Sequence, residues 1–230
     1  MKVRIKFAKE GTMKFIGHLD IMRYFQKLLR RSDIPIAYTT GMSPHQVMSF
    51  AMPLGIGVES DAEYVDIEIT ERISSETAIR RMNDNNVEGV RILSFKELPE
   101  KADNAMASIR AADYEVRFRQ GYTPDFPFMK KLEDLYEKDT IPVLKKTKKS
   151  ETIVDIKPGV YSFGGDDECI KMCLSCGSML NIKPELVVGA VFESENRELN
   201  EFALLIRRKE IYTMINDVLT SLDEIGGSIQ

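Results

Sequence analysis

The sequence predicts an α+β protein built from two ferredoxin-like (βαββαβ) lobes in tandem, over residues 1–98 and 110–230. The first ground is the order of patterns in the first hundred residues: strand, helix, extended pair, strand, helix, strand. The second is recurrence. Tyr114-Glu115-Val116-Arg117-Phe118-Arg119 opens the second half with the same apolar and charged alternation as Val3-Arg4-Ile5-Lys6-Phe7. The third is the polar stretch from Lys96 to Met106, which carries Pro99 and reads as a boundary. No residue-level identity links the halves, so the duplication is one of pattern.

Each element follows from its periodicity. Residues 3–7 alternate with period two, the mark of a strand with one covered face, and Arg4 and Lys6 are expected to face outward as basic surface. A helix is expected from Leu19 to Ser32, with Leu19, Met22, Phe25, Leu28 and Leu29 along one stripe. Residues 34–38 and 47–52 read as extended segments around a Ser43-Pro44-His45 loop, and 63–69 as a half-buried strand. Ser74 or Ser75 starts a second helix through Ile79 and Met82, Asn83 to Asn86 ends it, and 87–95 returns as a strand. In the second half a helix is expected over 127–138 and strands at 141–144, 152–156, 160–163 and 169–179. A helix then starts at Pro184, where proline is well tolerated. Residues 202–207 form another strand, and 211–225 finish as strand and helix.

With 230 residues, 43% hydrophobic and 30% charged, the chain has the composition of an ordinary globular protein with a substantial core. No apolar run approaches the ~20 residues that span a bilayer. Met1-Lys2-Val3-Arg4-Ile5-Lys6 lacks the apolar core and cleavage site of a secretory signal, so a cytoplasmic protein with no membrane partner is expected. The net charge of -4 is unevenly placed. Residues 1–50 hold nine Lys and Arg against three acidic residues, whereas 51–100 hold five against eleven. A positive surface is therefore expected from the first stretch.

The stretch Met13 to Pro53 concentrates the candidate functional residues. It holds both histidines, His18 and His45. Arg23, Lys27 and Arg30 recur at helical steps opposite the apolar stripe, with Arg31 beside them. Such a face is most often merely solvated; here it can also meet phosphate, with His18, Tyr38, Ser43 and His45 expected to line the same pocket. Tyr38, Tyr64 and Phe50 can supply faces for stacked bases. Lys145, Lys146, Lys148 and Lys149 make a second cationic run, a solvated loop or a phosphate contact.

Gly17-His18-Leu19-Asp20, Leu29-Arg30-Arg31, Ile34-Pro35-Ile36-Ala37-Tyr38, Gly41-Met42-Ser43-Pro44-His45, Pro53-Leu54-Gly55-Ile56-Gly57 and Ala62-Glu63-Tyr64 follow one another along the first third of the chain. This series resembles a bacterial family of unknown function whose members are fused to, or encoded beside, cobalamin-binding radical S-adenosylmethionine (SAM) proteins. Gly17 stands where that family usually has Ser, and Met42 where it usually has an aromatic. The resemblance implies a radical SAM protein as partner.

Cys169, Cys173 and Cys176, spaced C-x3-C-x2-C, are the only cysteines. The spacing is that of a radical SAM iron-sulfur cluster, yet only 54 residues follow Cys176, and Ile170, Met172 and Leu174 alternate with polar neighbours as a strand does. Buried strand cysteines are the stronger reading, and no metal is expected. Neither G-x-x-x-x-G-K-[ST] nor a G-x-G-x-x-G after a strand occurs, so no cofactor is expected.

Three functions stay open. The first is a non-catalytic module that binds RNA or presents substrate to a radical SAM partner. The second is a metal-independent endoribonuclease with His18 as base and His45 as acid, similar to the CRISPR RNA-processing endonucleases but lacking their glycine-rich loop. The third is a protein-interaction adaptor without nucleic acid.

Overall fold

The structure, a computed structural model, describes residues 1–146, 151–177 and 180–230. It is a mixed α/β protein dominated by antiparallel sheet, and it divides into two compact units. Met1–Arg110 and Arg208–Gln230 form the first; Ala111–Arg207 form the second.

The first unit holds β1 (Lys2–Lys9), α1 (His18–Arg31), β2 (Met48–Phe50), β3 (Glu59–Glu68), α2 (Ser75–Asp84), β4 (Val90–Glu97) and the short α3 (Ala105–Ser108). Part of β10 (Leu204–Ile215), then β11 (Val218–Ser221) and β12 (Gly227–Ser228), complete it. Its strands run in the order β12-β4-β1-β3, with β2 on β3, and the β10 residues from Arg208 onward follow β3. β1 is antiparallel to both neighbours, Ile5 lying opposite Val65 of β3 and Phe95 of β4.

One face of this sheet carries the core. Val3, Ile5, Phe7, Val65, Ile67, Ile92 and Phe95 pack against Ile21, Phe25, Leu28 and Leu29 of α1 and Ala78 and Met82 of α2. The helical stripe is thus shifted from the expected one: Ile21 is inside and Leu19 is 66% exposed, because positions 21, 25, 28 and 29, and not 19, share the side of α1 that meets the core. Ser74 caps α2, its hydroxyl accepting from the Thr77 amide at 3.2 Å.

The opposite face is not the basic surface expected of Arg4 and Lys6. Arg4 is buried and donates to both oxygens of Asp66 at 2.8 and 3.0 Å; Lys6 meets Glu210 at 2.7 Å. Asp223 sits with Lys96 (3.0 Å) and Ser94, and the Leu222 carbonyl accepts from Arg4. The last residues of the chain cover this face, so alternating charge here means ion pairs rather than solvent.

The second unit contains β5 (Ile109–Phe118) from Ala111 on, α4 (Phe128–Tyr136), a hairpin of β6 (Pro142–Lys146) and β7 (Glu151–Asp155), β8 (Val160–Gly165), β9 (Ile170–Ser175) and α5 (Pro184–Ser194). β9 lies between β5 and β8, antiparallel to both, and β10 is the other neighbour of β5. Phe118, Phe128 and Phe192 pack together, with the Phe118 ring centroid 5.4 and 6.0 Å from the other two. Lys131 of α4 meets Glu195 beyond α5 at 2.9 Å. The sequence boundary near residue 98 and the unit boundary differ: α3 stays with the first unit, and residues 208–230 return to it, although the expected second lobe ran to 230.

Candidate functional site

α1 separates its residues by chemistry. Phe25, Leu28 and Leu29 are buried, while Arg23, Lys27, Arg30 and Arg31 are exposed. Positions 23, 27 and 30 lie at i, i+4 and i+7, which places them on one side of the helix. Arg23 pairs loosely with Asp20 at 3.2 Å, both side chains being mostly in water. Arg31 donates to the Asn85 carbonyl past the end of α2, and Arg81 of α2 donates to the Asp33 carbonyl past the end of α1. Cations thus gather where the negative helix ends would otherwise be uncompensated.

Tyr38, Ser43 and His45 belong to a loop clasped at its base. Tyr38 bridges Gln46, the Thr39 amide donates to the His45 carbonyl at 2.8 Å, and the His45 amide donates to Thr39 Oγ1 at 3.0 Å. Gln46 Nε2 reaches the Gln26 carbonyl at 3.2 Å, seating the loop against the middle of α1. All three side chains are exposed.

His18 stands elsewhere. It is the first residue of α1, its ring edge-on to Phe50 with centroids 5.6 Å apart. It lines a narrow crevice with Lys9, Phe50, Met52, Pro53, Leu54 and Glu63. Twelve residues separate His18 from Arg30, about 18 Å along the helix. His45 does not line the crevice. The expected common pocket therefore resolves into two places: an exposed cationic face with the His45 loop beside it, and a crevice at the start of α1. The two imidazoles are not paired as base and acid.

The base-stacking expectation is also corrected. Tyr64 is 1% exposed and donates to Glu210 Oε1 at 2.5 Å, and Phe50 is packed against Phe7 and Phe25. Burial, with the Glu210 carboxylate beside it, raises the Tyr64 phenol far above its usual range. Tyr38 alone of the three presents an open ring, at 49% exposure.

In the second unit, Lys145 Nζ donates to the Asn181 carbonyl at 3.0 Å, which ties it to the fold. Lys148 and Lys149 lie outside the described residues, as does the side chain of Lys146. Cys173 and Cys176 are buried and Cys169 is partly exposed. Cys173 sits in β9 opposite Asp113. Burial, then the Asp113 carboxylate and Cys176, push its thiol up to about 12, the reverse of what a thiolate ligand needs. Among the described residues no group of three His, Cys, Asp or Glu could hold a metal ion. No helix among them is long and apolar enough to cross a membrane.

Three charged residues of the crevice region were not among the candidate site residues read from the sequence, although Glu63 belongs to the Ala62-Glu63-Tyr64 motif. Lys9, Glu63 and Arg208 are 3%, 5% and 1% exposed. Arg208 Nε and Nη2 donate to Glu63 Oε1 at 3.0 and 2.5 Å, and Nη2 also reaches the Met52 carbonyl at 3.1 Å. Lys9 Nζ donates to the Ile16 carbonyl at 2.7 Å. A signal existed: Lys9 continues the inward parity of Val3, Ile5 and Phe7, and Glu63 that of Val65 and Ile67. Charge at a core position asks for a partner.

Fold and site define a mixed α/β protein with a cationic helix face and a separate buried charge cluster. Residues 2–184 match the family described as "Uncharacterized protein conserved in bacteria (DUF2344)", and the chain belongs to that family. No curated protein matches it. Among solved structures, a chain of one titled "Crystal Structure of a Cbf5-Nop10-Gar1 Complex" is similar at a TM-score of 0.47 and 11% identity. That match covers 91% of this chain and 48% of the other, so this chain spans about half the length of the one it resembles. A likeness at that score says nothing about ligand or activity.

Proposed function

We propose that the protein is a non-catalytic accessory module that holds RNA by its phosphates for a radical SAM partner enzyme. One observation carries the RNA part: Arg23, Lys27 and Arg30 all reach solvent from the same side of α1, with Arg31 at its end. The partner rests on the motif resemblance, from Gly17-His18-Leu19-Asp20 to Ala62-Glu63-Tyr64. Contacts of this kind position a polynucleotide without reading its bases, and the closed opposite sheet face fits that division of labour.

The architecture proposed with it is two ferredoxin-like lobes. β1-α1-β2-β3-α2-β4 with neighbours in the order β4-β1-β3-β2 supports the first. β5-α4-β8-β9-α5-β10 in the order β10-β5-β9-β8 supports the second, with the β6–β7 hairpin as an insertion.

The test is filter retention of bulk transfer RNA over a range of salt. Replacing Arg30 and Arg31 by Glu is expected to weaken retention about tenfold or more, and to make the dependence of log K on log salt shallower by ~0.7 for each phosphate that the variant no longer neutralises. A folded double variant that retains RNA as wild type does overturns the reading.

A further inference from the structure

The cationic face of α1 and the loop that carries His45 meet at one atom. The Gln26 carbonyl accepts from Gln46 Nε2 at 3.2 Å and from Arg30 Nε at 3.3 Å, so the foot of the loop and the Arg30 guanidinium are held side by side. Gln46 Nε2 also reaches the Tyr38 hydroxyl, and the two bonds between Thr39 and His45 close the loop. From Thr40 to Pro44 every residue is exposed, the hydroxyl-bearing Thr40 and Ser43 among them. The charge extends onto the neighbouring helix as well. Arg80 and Arg81 of α2 are exposed, and the bonds from Arg31 to the Asn85 carbonyl and from Arg81 to the Asp33 carbonyl tie the ends of the two helices together. Two carboxylates of the same helix ends, Asp33 and Asp84, are exposed with them and are outnumbered by Arg30, Arg31, Arg80 and Arg81.

This surface offers fixed cations and hydroxyls but little to stack on. Among the described residues of the first unit the exposed aromatic rings are Tyr38 and Phe15, and Phe15 precedes α1 with the Lys14 ammonium 5.6 Å from its ring centre. A single strand is held largely by stacking on such rings, and its flexible backbone must be ordered as it binds. A double helix arrives with its bases stacked and its phosphates in rows. Double-helical RNA also displays 2′-hydroxyls along a wide, shallow minor groove, where proteins meet it by shape and by contacts to hydroxyl and phosphate. We infer, resting on the reading of α1 as a phosphate-binding face, that its ligand is double-helical RNA. Arg23, Lys27, Arg30 and Arg31 take phosphates along one edge of a minor groove, and the loop tip from Thr40 to Pro44 enters that groove and meets its 2′-hydroxyls. Arg23 and Arg30 lie about 10 Å apart along the helix, so the contact follows one strand over a few phosphates.

Fluorescence anisotropy with the full chain tests this on a labelled RNA duplex of about 16 base pairs, its two separate strands, and the DNA duplex of the same sequence. The RNA duplex should bind at least about tenfold more tightly than either strand, and several-fold more tightly than the DNA duplex. Thr40→Ala with Ser43→Ala should bring the two duplexes within about twofold of each other by weakening the RNA alone, since DNA has no 2′-hydroxyl to lose. Arg30→Glu with Arg31→Glu should weaken every one of these ligands about tenfold. A single strand that binds as tightly as the RNA duplex, with the arginine reversal still effective, overturns double-helical RNA as the ligand and leaves the phosphate-binding face standing. Binding indifferent to the arginine reversal overturns both. A wild-type protein that holds the DNA duplex as tightly as the RNA one, or a preference for RNA that survives the loop substitutions, overturns the groove contact and the inference with it.

Discussion

Arg208 and Glu63 show what a single buried partner is worth. With side chains 1% and 7% exposed, neither charge can fall back on water. Glu63→Gln leaves the guanidinium without its counter-charge, and a loss of about 3–5 kcal/mol is expected from urea denaturation. Lys9 gives a pH signature. Its folded value is lowered by burial from 10.5, so between the two values the unfolded chain binds the extra proton, and stability rises with pH as Lys9 neutralises. The penalty that Lys9 imposes relative to Lys9→Met should therefore be greatest near neutrality and shrink toward pH 10.5, read from urea midpoints across that range. Cys173, with its thiol raised to about 12, stays protonated at pH 8. Alkylation followed by mass spectrometry should label Cys169 well before Cys173. The C-x3-C-x2-C spacing was legible in the sequence. So was the strand that carries the thiols; the Asp113 neighbour, which helps to keep Cys173 protonated, was not.

At the scale of elements, α1 and α2 were readable because a 3.6-residue period and a capping serine are local signals. Ser74→Ala removes the acceptor for the Thr77 amide and should cost about 1 kcal/mol, with Ser74→Asp recovering most of it, by thermal unfolding. The alternation in β1 was equally legible as a strand, but its outcome was not. Period two says that Arg4 and Lys6 share a face; it does not say that Asp66 and Glu210, distant in sequence, will meet them there. The same limit explains the split of the expected pocket. His18 and Arg30 are close along the chain, yet a helix converts twelve residues into a long separation. The connection that closes the His45 loop, Gln46 onto Gln26, has no local trace in the sequence.

At the scale of the molecule, the return of residues 208–230 to the first unit is what the sequence least reveals, since it depends on pairings across most of the chain. Those residues supply Arg208 to Glu63, Glu210 to Lys6 and Tyr64, and Asp223 to Lys96. Ser75 Oγ accepts from the Ile229 amide at 2.8 Å as well. A chain ended at Arg207 should lose the cooperative unfolding of residues 1–110 while α4, α5 and β9 keep their protection from hydrogen exchange, a contrast that mass spectrometry of exchanged peptides resolves. On the ribosome this ordering becomes a matter of timing. Val3 to Phe95 emerge early but wait, with Lys6 and Glu63 unmatched, until Arg208 and Glu210 have followed, whereas the intervening segment has its own partners as soon as Arg207 is added. The nascent protein should thus mature from its middle outward, its opening residues staying open to capture until residues 208–230 have joined them.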